Sequence, residues 1–279
     1  MKLYPLTILV ISAIAIAESA TAQKTSIPKN FPSFFKEGHR GTRGLMPENT
    51  IPSMIAAIEN GANMIEVDVY TSKDGQVFIA HDAFPNIAHT LYADGKEIEA
   101  ADARRFIYHQ MNYEDIRKFD VGSKPYPLFP QQKQVKAYMP LLGELIDSVE
   151  AYTKAKKLKP AIYNIELKTN PRFDSLGYNS GPEEMIDKVM GVVKTKNIGN
   201  RYYIQSFDFR PLIYLNKKHP QVTIGFLTSS RTLSLEENLE QLGFTPDIYS
   251  PEYRLVTKEM VEACKRHQMK LVPWTVNTA

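Results

Sequence analysis

Four short runs in the first third of the chain carry side chains able to do chemistry. They read Gly38-His39-Arg40-Gly41, Pro47-Glu48-Asn49-Thr50, Glu66-Val67-Asp68 and His81-Asp82. Residues two apart on a strand share a face. In Met64 to Val69 that rule sets Glu66 and Asp68 together and sends Ile65, Val67 and Val69 to the opposite, packed face. Two carboxylates on a strand whose other face is apolar are costly to bury unpaired. A hard cation bound through oxygen removes that cost. Imidazole exchanges protons near neutral pH, and the Arg40 guanidinium can clamp a phosphate with two parallel hydrogen bonds. Together these point to metal-assisted chemistry on an anionic substrate. Plainer readings compete. His39 beside Arg40, taken alone, is a surface turn, and Glu66 with Asp68 is a solvated strand face, which the three apolar alternates argue against.

Three later runs add to the set. In Ile162 to Lys168, Asn164, Glu166 and Lys168 share one face and Ile165 and Leu167 the other. Glu166 can complete a three-carboxylate cation site, and Lys168 can add charge against a phosphate; a local Glu–Lys pair on a strand edge is the bland alternative. Gln205-Ser206-Phe207-Asp208 ends another strand. Gln205 can donate to substrate oxygens, and Asp208 suits the cap of the next helix. Trp274, the only tryptophan, walls a pocket or simply packs. Asp82 is placed to orient a neighbouring group. His89, His109, His219 and His267 lack comparable company and read as surface or packing residues.

Elements of alternating type must hold these groups. A brief strand is expected at 34–38, a helix at 50–60 capped by Asn49 or Thr50, and a strand at 64–70. Asp74-Gly75 makes a tight turn into a returning strand at 76–80. Residues 83–135 break the rhythm as an insertion, a small lobe beside a cleft. A helix runs from about 140 to 157. Strands are then expected at 161–167, 202–206, 222–227, 247–250 and 271–276, with helices at about 183–196, 209–219, 235–242 and 257–267. Strand–helix alternation implies parallel strands with crossover helices. A TIM (β/α)8-type barrel with a small insertion follows, its chemistry at the C-terminal strand ends. About seven barrel strands can be counted, so an eighth β/α unit is missing. A doubly wound sheet is the alternative, but no glycine-rich phosphate turn follows the first strand.

Composition narrows the class. Hydrophobic residues make up 43% and charged residues 23% of the 279, ordinary for a globular protein. A net charge of +3 without a basic block gives no footprint for nucleic acid. Lys2, the apolar run from Leu6 to Ala17 and Ala20-Thr21-Ala22 read as a signal peptide over residues 1–22, with Gln23 the first mature residue. That predicts a periplasmic or secreted protein. The apolar run is short for a membrane span. Removing 22 of 279 residues leaves about 257, close to the roughly 250 of a (β/α)8 barrel. The single cysteine, Cys264, rules out an intrachain disulfide and sits in a helical pattern as a packing residue.

In order and spacing, these runs together resemble the glycerophosphodiester phosphodiesterase family. The resemblance is carried by His-Arg-Gly at 39–41, Pro-Glu-Asn-Thr at 47–50, Glu-Val-Asp at 66–68, Thr-Ser-Lys-Asp-Gly at 71–75, His-Asp at 81–82, Glu-Leu-Lys at 166–168, Gln-Ser-Phe-Asp at 205–208 and Trp-Thr-Val-Asn at 274–277. It spans about Phe34 to Asn277. The resemblance implies one divalent cation, Ca2+ or Mg2+, on Glu66, Asp68 and Glu166. It implies His39 and His81 as the general acid/base pair, and Arg40 and Lys168 on the phosphate. It also implies hydrolysis of a small-molecule glycerophosphodiester to glycerol 3-phosphate and an alcohol. Which histidine is the base, and whether water or a substrate hydroxyl attacks, the sequence leaves open. Two other readings are a phospholipase C/D-like enzyme on lysolipids or phosphoinositides, using the aromatics of the insertion (Phe84, Tyr92, Phe106, Tyr108, Tyr113) as an apolar ramp, and a non-catalytic phosphodiester-binding protein.

Overall fold

The computed structural model describes residues 27, 28 and 31–277; the leader expected over residues 1–22 lies outside them. The elements run β1 (Glu37–Gly38), α1 (Ile51–Glu59), β2 (Met64–Thr71), β3 (Val77–Ile79), α2 (Ala100–Ala103), α3 (Tyr113–Ile116), α4 (Leu142–Ala155), β4 (Ile162–Leu167), α5 (Pro171–Leu176), α6 (Pro182–Lys194), β5 (Tyr202–Ser206), α7 (Phe209–Lys218), β6 (Thr223–Thr228), α8 (Leu235–Leu242), β7 (Ile248–Pro251), α9 (Lys258–Arg266) and β8 (Lys270–Leu271). The sheet order is β1-β2-β4-β5-β6-β7-β8, every neighbouring pair parallel, with β3 antiparallel on β2. This is a (β/α) barrel of seven parallel strands. Among the described residues no pairing joins β8 to β1, so the wall is open there.

Alternation along each strand builds two layers. Outward residues such as Ile65, Val67, Ile165, Ile204 and Phe226 pack with Leu145, Val149, Ile186, Val189 and Leu212 of the helices. Inward residues meet across the interior: Met64, Ile162, Tyr203 and Ile248 share one cluster with Phe31. Strands from both sides of the sheet touch there, which requires the sheet to curl.

Local signals explain the ends of the elements. Thr50 caps α1, its hydroxyl accepting from Ser53 N at 3.3 Å. The β2–β3 turn closes through Ser72 N to Gln76 O at 2.9 Å, with Gly75 at φ 78°. The last strand is shorter than expected. Val272 N and Trp274 N still donate to β7 carbonyls at 3.0 and 2.9 Å, but Pro273 between them has no N–H to give. The unexpected α5 has a legible start, since Asn170 accepts from Phe173 N at 2.9 Å and Pro171 opens the helix.

The insertion forms a lobe with its own core of Phe78, Ile98, Tyr108, Tyr113, Ile116, Phe119 and Met139. This corrects the expected aromatic ramp. Tyr108 and Tyr113 are 2% and 3% exposed, and Phe84, Tyr92 and Phe106 pack against the same cluster. A segment with little regular structure stays folded only by burying apolar surface of its own. No described helix is long and apolar enough to cross a membrane.

Candidate active site

The C-terminal ends of β1, β2 and β4 bring the acidic residues together. Parallel register pairs Glu66 with Asn164 and Asp68 with Glu166. Glu66, Asp68 and Glu166 each offer a carboxylate oxygen within 4.8 Å of the others, and all three are buried. A cavity of about 910 Å³ opens over them, lined by His39, Arg40, Glu66, His81, Glu166, Lys168, Gln205 and Trp274. Every site residue expected from the sequence thus reaches one cavity or, for Asp68, lies just behind its wall.

The loop after β1 is shaped to aim Arg40. Arg40 and Gly41 hold φ of 52° and 80°. A Cβ on Gly41 would lie 2.4 Å from Ser53 Oγ, so only glycine fits. Ser53 of α1 staples the loop, accepting from Thr42 N at 2.8 Å and donating to Arg40 O at 3.1 Å. Arg40 N then donates to Glu66 Oε2 at 2.7 Å, and its Nη1 to Glu48 Oε1 at 2.9 Å. Its Nε lies 3.4 Å from Asp68 Oδ2. Asn49, at φ 57°, donates from Nδ2 to Asp68 Oδ2 at 2.8 Å and accepts from Asp68 N at 3.3 Å. Sequence reasoning gave Glu48 no individual role and offered Asn49 only as an alternative helix cap, a place that Thr50 takes. The signal was present, since Asn tolerates the left-handed conformation that aims it.

Lys168 Nζ lies 2.9 Å from Asp68 Oδ1 and also pairs with Glu166. His81 Nδ1 lies 3.1 Å from Asp82 Oδ1, and Asn86 holds the other Asp82 oxygen at 3.0 Å. His39 Nδ1 is 3.4 Å from Thr275 Oγ1. Trp274 donates from Nε1 to Ser250 O at 3.0 Å, with its ring edge-on to Phe207, so it both packs and walls the cavity. Asp208 caps α7. The other histidines serve structure: His89 packs at a tilt against Tyr126 in the lobe, His109 meets Thr71, His219 ends α7 and His267 pairs with Glu236.

Burial and charge set the protonation states. Burial pushes the Glu66 carboxyl well up, and Asp68 and Glu166 push the same way. Burial also raises Glu166, against the pull of Lys168. Asp68 is held well below the usual range, because Lys168 and Arg40 outweigh its burial. His39 is lowered to about 3 by burial first and then by Arg40 and Arg43, so it is neutral at physiological pH. Asp82 stays low: burial opposes its charge, and the His81 hydrogen bond restores it.

The donor set suits a hard divalent ion. Glu48, Glu66, Asp68 and Glu166 are four carboxylates against three cations, Arg40, Arg43 and Lys168, a formal excess of one negative charge. Glu66 Oε1 and Gln205 Oε1 are buried and accept no hydrogen bond. Oxygen-only ligands with spare negative charge suit Ca2+ or Mg2+.

An open parallel barrel with an acidic cluster, two imidazoles and two cationic side chains at its C-terminal rim has the parts of a hydrolase acting on phosphate esters. The family comparison is specific: residues 39–279 match the model of the glycerophosphoryl diester phosphodiesterase family, and the chain belongs to that family. It is 30% identical over 241 residues to a glycerophosphodiester phosphodiesterase of Caldanaerobacter subterraneus, covering 86% of this chain and 84% of the relative. A Bacillus subtilis glycerophosphodiester phosphodiesterase is 27% identical over 249 residues, covering 86% and 75%. Among solved structures, a glycerophosphoryl diester phosphodiesterase family protein of Silicibacter pomeroyi superposes with a TM-score of 0.76 at 27% identity, over 87% of this chain and 82% of that one. An Oleispira antarctica phosphodiesterase, solved with sn-glycerol-3-phosphate as product, shares the fold with a TM-score of 0.64 at 24% identity, over 87% and 84%.

Proposed function

We propose that this chain hydrolyses glycerophosphodiesters to glycerol 3-phosphate and an alcohol, using one divalent cation, Ca2+ or Mg2+, on Glu66, Asp68 and Glu166. The observation that carries the reading is the convergence of those carboxylates within 4.8 Å in a cavity also lined by His39, His81 and Arg40. The names of the relatives point to the same substrate class.

The bound cation would neutralise charge building on the phosphoryl oxygens. The residues of the chain do the rest. Arg40, fixed by Glu48 and by its own backbone bond to Glu66, offers its fork to the phosphate. Lys168 adds a second positive charge at the rim. His39, kept neutral, takes the proton of the attacking oxygen, and an anionic diester beside Arg40 and Arg43 raises its basicity as it binds. His81 donates Nδ1–H to Asp82, which turns Nε2 toward the substrate. In protonated form, His81 hands its proton to the leaving alkoxide. One P–O bond forms as another breaks, and the two imidazoles exchange roles in proton count. The attacking oxygen is water, or the glycerol 2-hydroxyl, in which case water then opens the resulting cyclic phosphate to glycerol 3-phosphate. Gln205 donates to a substrate oxygen and the Trp274 ring walls the pocket. The leader at residues 1–22 would deliver the enzyme to the periplasm or the exterior.

Phe207, 41% exposed and edge-on to Trp274 at the cavity, favours a second reading in which a lysolipid supplies the diester. Turnover of glycerophosphocholine and of micellar lysophosphatidylcholine, each with and without EDTA, separates the possibilities. The proposal expects glycerol 3-phosphate from the soluble diester and its loss with chelator. Undiminished turnover in metal-free protein removes the cation role, and a diester recovered intact after long incubation makes this a binding protein.

A further inference from the structure

Beneath the carboxylate cluster lies a polar group that the reaction above does not use. β4 alternates, so Asn164 points into the barrel one position below Glu166 and beside Glu66 across the β2–β4 ladder. Asn164 is 1% exposed. Its Nδ2 donates to both oxygens of Glu37, each at 3.2 Å, whereas its Oδ1 is buried and accepts no hydrogen bond. A buried carbonyl oxygen without a partner is costly. Of the cations at the cluster, Arg40 Nη1 and Lys168 Nζ are engaged by carboxylates.

The amide cannot simply turn over to solve this. Reversed above about pH 7, where Glu37 is ionised, it would set its oxygen against the carboxylate and lose both hydrogen bonds. Glu37 is itself held in place, since Tyr203 donates its hydroxyl to Glu37 Oε2 at 3.2 Å. Tyr203 is fully buried and reaches that position because β6 carries Gly225 opposite its ring, where a Cβ would come within 3.1 Å. The chain Gly225, Tyr203, Glu37 and Asn164 therefore fixes one outcome: the amide oxygen, not the amide nitrogen, of the residue paired with Glu66 is left without a hydrogen bond.

We propose that Asn164 supplies a fourth protein oxygen to the cation site and that Glu37, braced by Tyr203, is the positioning residue that aims it. This rests on the cation reading above. An oxygen that lacks a donor and adjoins an oxygen-lined cluster with spare negative charge is satisfied by the cation itself. Glu37 then acts as outer partners of metal ligands do, by setting the orientation of a ligand it touches.

Calorimetric titration of the full chain with Ca2+ and with Mg2+, alongside thermal unfolding, tests this without reference to turnover. Asn164→Leu should weaken cation binding about tenfold or more. Glu37→Leu should do the same by releasing the amide. Glu37→Gln, whose own carbonyl still accepts from Asn164 Nδ2, should bind within about threefold of the unaltered protein. Should Asn164→Leu fail to fold, Asn164→Ser, too short to reach, carries the same expectation. Unchanged affinity in a folded Asn164 variant overturns the fourth ligand. Loss in Glu37→Gln as large as in Glu37→Leu overturns the aiming role, because charge rather than orientation would then be acting. If the unaltered protein binds neither ion, the cation reading itself falls, a result distinct from both.

Discussion

His39 and His81 are both imidazoles at the same cavity, yet their surroundings differ, as the roles proposed for them do. His39 is surrounded by burial, Arg40 and Arg43; His81 leans on the carboxylate of Asp82. Replacing either by Asn should lower kcat about 10²–10⁴-fold while leaving cation affinity nearly unchanged, a split read by pairing turnover with calorimetry. Two buried groups also give the metal-free fold a pH signature. His39 titrates near 3 folded against 6.5 as a free group, so the unfolded chain binds its proton first and stability falls as pH drops from about 6.5 toward 3. Glu37 is pushed by burial to about 7 from 4.5, so its folded form keeps a proton the unfolded chain has lost. Its contribution is present below 4.5 and disappears as pH rises through about 7. Between 4.5 and 6.5 the two slopes oppose. Glu37→Gln removes one of them, and its stability in urea should climb more steeply from pH 4.5 to 6.5 than that of the unaltered protein.

The loop between β1 and α1 shows how an element, rather than a residue, builds the site. Gly41 and Ser53 set its path, and that path delivers Arg40, Glu48 and Asn49 to carboxylates on β2. Asn49→Ala should weaken cation binding about 10–100-fold, the usual cost of losing a partner that orients a metal ligand, again by titration. Gly41→Ala places a methyl 2.4 Å from Ser53 Oγ at φ 80° and should destabilise by more than about 1 kcal/mol, measured as a lower urea midpoint. The lobe depends on β3 in a similar way. Phe78 is fully buried and meets Tyr70, Tyr108 and Tyr113, so Phe78→Ala should cost about 3–5 kcal/mol.

For the molecule as a whole, a cation bound at the acidic centre would tie stability to its concentration. Asp68 and Glu166, paired across β2 and β4, bring together like charges that a bound ion would help to balance. A cation at one hundred times its dissociation constant should stabilise the fold by about 2.7 kcal/mol. In a chain of this size that raises Tm by several degrees, about 2–4 °C per kcal/mol, and EDTA should reverse it. The open wall between β1 and β8 adds a contrast within one barrel. Strands β2 and β4 are bonded on both edges, whereas β1 and β8 each lack one parallel neighbour among the described residues. Hydrogen exchange should therefore be slowest along β2 and β4.

What could be read in the chain beforehand was whatever a local rule encodes. Alternation placed Glu66 with Asp68 and Asn164 with Glu166 on shared faces, and the succession of strands and helices implied the barrel, because both periods arise from a few neighbouring residues. Asp208 and Thr50 announced their helices for the same reason. Tertiary structure alone decided who meets whom. Asn164 and Glu37 are 127 residues apart, and Tyr203 and Glu37 are 166 apart, so no local pattern links them. Tyr108 and Tyr113 of the insertion turned inward to the core of the lobe, since a side chain's type does not say which surface it will cover. Contacts of that kind exist only once the strands have curled and their registers have brought distant layers level.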